Sequence, residues 1–212
     1  MKQYNFENIS FIVHVRVDIP ERLDNLTTVM DYYHTVCDNC EFIVVNDDKE
    51  PDKRLRPLYE KYGSTNKFLF LENDDIYRRT LAFNQGFNNS TRRLMIAGDT
   101  DIIIHPKHIV KAEYLILSGE HNHVYPYNGL FVHVKEHIRD QFKQELDFDI
   151  LNKLKPVQEN RYPYYENDDI LVAHPNSKGG CIMYESEMYR NINGYNPNFR
   201  GCLLYTSDAA DE

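Results

Sequence analysis

Apolar positions along the chain fall into short runs separated by polar, periodic stretches, and that alternation predicts most of the elements. Phe11–Val17 (FIVHVRV) is rich in β-branched residues and reads as a buried strand. Asp18-Ile19-Pro20 stops it. Pro20 then opens a helix with proline in its first turn, apolar at Met30, Tyr33 and Val36. Phe42–Val45 (FIVV) reads as a second strand ended by Asn46-Asp47-Asp48, and Arg54–Lys61 as a helix closed by Gly63 at a C-cap-like position. Lys67–Leu71 (KFLFL) is a third strand, Tyr77–Asn88 a helix by the spacing of Leu81, Phe83 and Phe87, and Leu94–Ala97 (LMIA) a fourth strand. Further on, the pattern predicts a helix within His105–Ser118 and a strand region in His123–Val134. Lys135–Tyr165 is charged and aromatic, spaced loosely enough for helix or loop. The segment 176–201, rich in glycine and asparagine, holds a short helix around Glu185–Arg190.

Strands that alternate with helices through short connections imply βαβ units, hence an α/β fold with a mostly parallel sheet and helices on both faces. There is no internal repeat and no linker, so one domain is expected. In such sheets ligands bind beyond the carboxyl ends of the strands. Asp18 follows the first strand, Asp47 and Asp48 the second, Asp99 and Asp101 the fourth, which places five acids on one edge. Any single one is an ordinary turn former; the set is what points to a site.

Composition narrows the function classes. The 212 residues, 42% hydrophobic and 27% charged, fit a globular protein of one large domain. A net charge of -9 argues against general nucleic-acid binding, since no basic face neutralises a phosphate backbone. No window reaches the apolar length of a membrane span, and the N-terminus lacks a signal-peptide pattern, so a cytoplasmic protein is expected. Cys37 and Cys40 form a C-x-x-C, but no second pair follows at zinc-site spacing and Cys181 is distant; they read as half-buried thiols in the turn before a strand. His105, His108, His121, His123, His133, His137 and His174 give no pair with helical spacing and a neighbouring acid. Asp168 and Asp169 read as a loop pair. The tail Cys202–Glu212 (CLLYTSDAADE) reads throughout as the translation of a transposase-type sequencing adapter, so an artefact is expected there and a domain cut short at Gly201.

Gly98-Asp99-Thr100-Asp101 follows an apolar strand directly, and Ile102-Ile103-Ile104 comes after it. Two alternating carboxylates on a rigid element suit Mn²⁺ or Mg²⁺, which takes one or two protein carboxylates and fills its shell from water and diphosphate.

The succession VRVDIPERLDNL, FIVVNDD, YRRTLAFNQGF and LMIAGDTDIIIHP resembles the nucleotide-binding half of GT-A glycosyltransferases of the family 2 type. GGCIMYESEMYRNINGYNPNFRG is similar to the acceptor and catalytic segment of β-1,4-galactosyltransferases and chondroitin-type polymerases. The resemblance implies a GT-A, Rossmann-like fold, with a donor-binding part over about residues 1–105 and an acceptor part, incomplete, over about 106–201. It implies a nucleotide-sugar donor, a glycan acceptor, Mn²⁺ or Mg²⁺ held by Asp99 and Asp101, and transfer with inversion. By the same resemblance Arg16, Asp18, Arg22, Asp47, Asp48, Arg79, Asn84 and Asp99 face the donor, only one of Asp47 and Asp48 accepting from it. Gly179, Gly180, Asn193 and Gly194 then line the acceptor and donor loops. The catalytic base is expected beyond Gly201, so the chain as written is expected to be weakly active or inactive, and peripheral membrane association is compatible with the type. Other readings of the same residues stay open: Arg22 and Asp18 as a helix ion pair and cap, and Asn84 with Gly86 as packing residues. The alternative function is a non-catalytic nucleotide-sugar or glycan-binding module. A nucleotidyltransferase is disfavoured because FIVHVRVDIP carries no glycine-rich phosphate loop.

Overall fold

The computed structural model describes residues 4–73, 76–154, 167–174, 177 and 179–199. In chain order the elements are β1 (Tyr4–Asn5), β2 (Ile9–Val15), α1 (Pro20–Val36), β3 (Cys37–Asp38), β4 (Glu41–Asp48), a 3-10 turn (Lys53–Leu55), α2 (Arg56–Tyr62), β5 (Lys67–Glu72), α3 (Arg79–Asn89) and β6 (Leu94–Gly98). There follow α4 (Pro106–Leu117), β7 (His123–Val124), β8 (Phe131–Val134), α5 (Glu136–Glu145), α6 (Phe148–Asn152), β9 (Ile170–His174), β10 (Cys181–Glu185) and α7 (Ser186–Asn191). Six strands form the main sheet in the order β5-β4-β2-β6-β10-β7. The first four are mutually parallel; β10 runs antiparallel to both β6 and β7. Two small pairs stand apart, β1 with β3 and β8 with β9.

The period-2 alternation of strand side chains divides the core between the two faces. Phe11, Val13 and Val15 of β2 cluster with Leu26, Val29, Met30 and Tyr33 of α1 and Ile109, Ala112 and Ile116 of α4. Ile12, Ile43, Met95 and Ala97 cluster with Phe83 and Phe87 of α3 and Tyr189 of α7 on the other face. Strands covered on both sides are apolar throughout, which is why β2 is buried at every position.

Several expectations change in detail. The second strand does not stop at Val45: it runs through Asp48, because β5 pairs with it as far as Asp48↔Glu72. Both acids are therefore strand residues. The region His123–Val134 splits between two sheets, and β9 and β10 form where no strand was read. Gly63 does close α2 as the C-cap, in right-handed backbone at φ −63°, where a Cβ would lie 2.6 Å from the Tyr59 carbonyl oxygen. Cys37 and Cys40 are fully buried in the core, not half-buried. Within Lys135–Tyr165, α5 and α6 are helical; residues 155–166, like Arg200, Gly201 and the tail at 202–212, lie outside the described residues. Among the described residues no helix is long and apolar enough to cross a membrane.

Candidate functional site

From β2 the chain passes to β4 and β5 on one side, then returns to place β6 on the other side of β2. The sheet order reverses there, and the crevice beyond the carboxyl ends of β2 and β6 is where open α/β sheets bind ligands. Arg16 and Asp18 leave β2 at this point, and Asp99 and Asp101 leave β6.

Asp47, at the end of β4, is completely buried and fully engaged. Asn73 Nδ2 donates to its Oδ1 at 2.6 Å and the Arg78 backbone N–H to its Oδ2 at 2.9 Å. Arg16 Nε donates to the Asp47 carbonyl at 2.8 Å, and Arg16 Nη2 reaches Oδ1 at 3.5 Å and the Asn73 carbonyl at 3.4 Å. This carboxylate ties three strand ends and the entry to α3 into one edge. Asp48 is half-buried, its carboxylate accepting only from the neighbouring Lys49 N–H at 2.8 Å among the described contacts.

The D-x-D acids are unequal. Asp99 is gripped by Arg79, Nη2 to Oδ1 at 2.6 Å, and its backbone N–H donates to the Gly180 carbonyl at 2.8 Å. Burial pushes the Asp99 carboxyl above its ordinary value; Arg79 opposes this, and Asp101 adds to it. Asp101 is exposed. The glycine pair is brought to the same place. Gly180 has φ +80°, and a Cβ there would lie 2.2 Å from Ile102 Cδ1, so only glycine lets this turn sit against the motif. Tyr127 OH donates to the Gly179 carbonyl at 2.6 Å and fixes the turn from outside.

Above β2, the guanidinium carbons of Arg16 and Arg22 each lie 6.0 Å from the centre of the Tyr77 ring. Arg22 Nε also pairs with Asp18 Oδ1 at 2.7 Å, an exposed i,i+4 pair worth little to stability. Asp18 accepts from the Ile19 N–H and does not cap α1, whose N-cap is Ile19 itself.

Asn84, Asn193 and Gly194 are brought to one another. Asn84 Nδ2 donates to the Tyr195 carbonyl at 2.8 Å, while its Oδ1 accepts from the Tyr195 N–H at 2.9 Å and from Tyr189 OH. Asn193 and Gly194 are both left-handed, φ 59° and 69°, and a Gly194 Cβ would meet Asn84 Oδ1 at 2.6 Å. Their present arrangement clasps the turn after α7 onto α3, and Thr80 Oγ1 extends it by donating to the Phe199 carbonyl at 3.1 Å. Asp168 and Asp169 stand in the loop before β9, with Asp169 Oδ1 3.1 Å from His137 Nε2.

Sequence reasoning passed over His14. It lies on the α3 face of β2, buried, with its ring 4.2 Å from that of Tyr77 and 5.1 Å from that of Phe83. Neither ring nitrogen has a hydrogen-bond partner among the described residues. The one signal was a histidine inside an otherwise apolar run. Burial, then Arg79, Arg22 and Arg16, hold this imidazole well below the usual 6.5. The unfolded chain titrates near the usual value, so below it the unfolded state binds the extra proton and stability falls as the pH falls. His14→Leu is expected to gain about 1 kcal/mol at pH 7.5, since it removes two buried polar atoms without partners. It is also expected to lose up to ~1.4 kcal/mol per pH unit of acid sensitivity below pH 6.5. Urea melts of both proteins at pH 7.5 and 5.5 check this; an unchanged pH slope in the variant would refute it.

Among the described residues no three His, Cys, Asp or Glu side chains gather as a ligand set. Two carboxylates, one open and one held by a cation, fit a hard divalent ion only if phosphate oxygens and water complete its shell.

No protein-family description and no curated protein matches the sequence. Solved structures do. S. aureus TarS 1–349 superposes with a TM-score of 0.54 at 11% identity, over 92% of this chain and 52% of that one. Its complex with UDP gives 0.51 at 13%, over 91% and 51%. The mannosyltransferase PcManGT from Pyrobaculum calidifontis, in complex with GDP-Man and Mn²⁺, gives 0.45 at 15%, over 90% and 48%. At such identities the likeness concerns the fold, and the chain spans about half the length of these structures. The fold is α/β of the GT-A, Rossmann-like class.

Proposed function

We propose that the crevice is the donor site of a glycosyltransferase, binding a nucleoside-diphosphate sugar of uridine together with Mn²⁺ or Mg²⁺ for inverting transfer to a glycan acceptor. The observation that carries this reading is the D-x-D pair at the reversal point of the sheet, beside Arg79 and the Gly179-Gly180 turn. The UDP bound by TarS, on a shared fold, supports the choice of uridine.

In this reading Asp99 and Asp101 hold the cation, which supplies neutralising charge to a departing diphosphate. Arg79 presents a planar fork suited to phosphate oxygens. Arg16 and Arg22 add positive charge and, with Tyr77, a planar surface for the base, while Asp18 and the half-buried Asp48 offer acceptors for base or ribose. Asn84 acts by holding the 193–195 turn in place.

Thermal melts with UDP, GDP and CDP, each with Mn²⁺, with Mg²⁺ and with EDTA, test the reading. UDP with Mn²⁺ is expected to raise the melting temperature most, with the shift removed by EDTA. No shift with any nucleotide, and no heat on titration, would overturn it; binding without turnover would favour the non-catalytic module.

A further inference from the structure

We propose that this crevice takes a divalent cation and a diphosphate together and resists the cation alone, because Arg79 occupies Asp99 until an anion draws it away. The proposal rests on the nucleotide-sugar reading and adds to it a role for Arg79, which holds Asp99 closed to the cation until a diphosphate draws the guanidinium away.

Three observations carry it. First, the Arg79–Asp99 contact is short, 2.6 Å, with the side chains only 19% and 30% exposed, whereas Asp101 two residues on stands in solvent. One ligand of the motif is open and the other is taken. Second, the backbone that carries Asp99 is anchored to the glycine turn, its N–H donating to the Gly180 carbonyl at 2.8 Å. Third, the Arg79 guanidinium is not saturated. Its Nε is buried without a hydrogen-bond partner among the described residues, and the group lies 5.3 Å from the centre of the Phe83 ring. A guanidinium has five N–H donors in a fixed fork, and a two-pronged phosphate contact uses two of them at once.

The energetics follow from which charges are left alone. A bare cation reaching Asp99 must displace Arg79, which strands a half-buried guanidinium beside a second positive charge. Stranding one member of such a pair is the costly case. When a diphosphate arrives with the cation, Arg79 exchanges a carboxylate for a phosphate and Asp99 exchanges a guanidinium for the metal. Every charge keeps a partner. The two ligands must then favour each other by one and the same factor, since coupling between sites is reciprocal.

Mn²⁺ alone, UDP alone, and each in the presence of the other are titrated into the wild type, Arg79→Gln, Arg79→Lys and Arg22→Gln. Calorimetry is used throughout, with the electron paramagnetic resonance signal of unbound Mn²⁺ as a second readout. Arg22→Gln is the control for general charge: Arg22 acts on Asp99 only at a distance, through its field. The wild type is expected to bind Mn²⁺ alone weakly. Arg79→Gln should bind it about 10-fold more tightly, with the mutual enhancement between Mn²⁺ and UDP lowered by the same factor, the remainder coming from the diphosphate oxygens that ligate the cation directly. Arg79→Lys, which keeps the charge without the fork, should lie between them and serves if the glutamine variant does not fold. An equal gain in Arg22→Gln, or no gain in either Arg79 variant, overturns the proposal. Absence of UDP binding to the wild type at saturating Mn²⁺ would instead sink the nucleotide reading, and the comparison with Mn²⁺ alone is read independently of it.

Discussion

Asp47→Ala is expected to cost about 3 kcal/mol of folding stability, the largest loss for any single side chain of the crevice. Its carboxylate has no exposure and accepts from Asn73, from the Arg78 backbone and, more weakly, from Arg16. Truncation leaves the buried Asn73 amide and the part-buried Arg78 N–H without their acceptor, at about 1–3 kcal/mol. It also removes a carboxylate that Arg16 pairs with, Nη2 to Oδ1 at 3.5 Å. The loss should be local as well as global, because the same contacts set the entry to α3 and hence the position of Arg79. Asp47→Asn keeps the shape and one acceptor oxygen, and should fall roughly midway. Chemical denaturation of the two variants measures this. A cost under ~1 kcal/mol for the alanine variant would mean that Asp47 is not the tie the geometry describes.

The parallel half of the sheet was legible because β2, β4 and β6 are covered on both faces and write themselves as apolar runs, with the half-buried β5 at their edge. The D-x-D pair was legible for the same reason: it stands where such a run ends. What the chain concealed depends on partners far away in sequence. β10 exists by pairing Cys181–Glu185 with Gly98–Leu94, and five residues of mixed character carry no periodicity strong enough to announce that. Asp47 and Asp48 look alike in the string FIVVNDD. Their difference in burial comes from β5 extending the ladder to Glu72 and from Asn73 turning back onto Asp47. The environment of His14 is likewise tertiary, set by Tyr77 and Phe83 closing over β2. Asn84 could be read from sequence as a site residue or as a packing residue; its amide is committed on both sides to the turn at Tyr195.

Asp101→Ala is expected to have the largest effect on binding and almost none on folding. The side chain is exposed and takes part in none of the ion pairs that hold the crevice together. As the open member of the pair it is the first carboxylate a cation would meet, and with Asp99 shared with Arg79 no other described carboxylate of the motif can replace it. A hard cation that keeps only one or two protein ligands cannot lose one cheaply. The expected loss of Mn²⁺-dependent UDP affinity is on the order of 100-fold, about 2.7 kcal/mol. The melting temperature without ligand should stay within a degree or two of the wild type, as is usual for a surface substitution. The measurement that tests the account most directly is calorimetric titration of UDP into the wild type and Asp101→Ala, each with Mn²⁺ and with chelator. The account predicts binding by the wild type in Mn²⁺ and its collapse both in chelator and in the variant. Equal UDP affinity in all four titrations would contradict it.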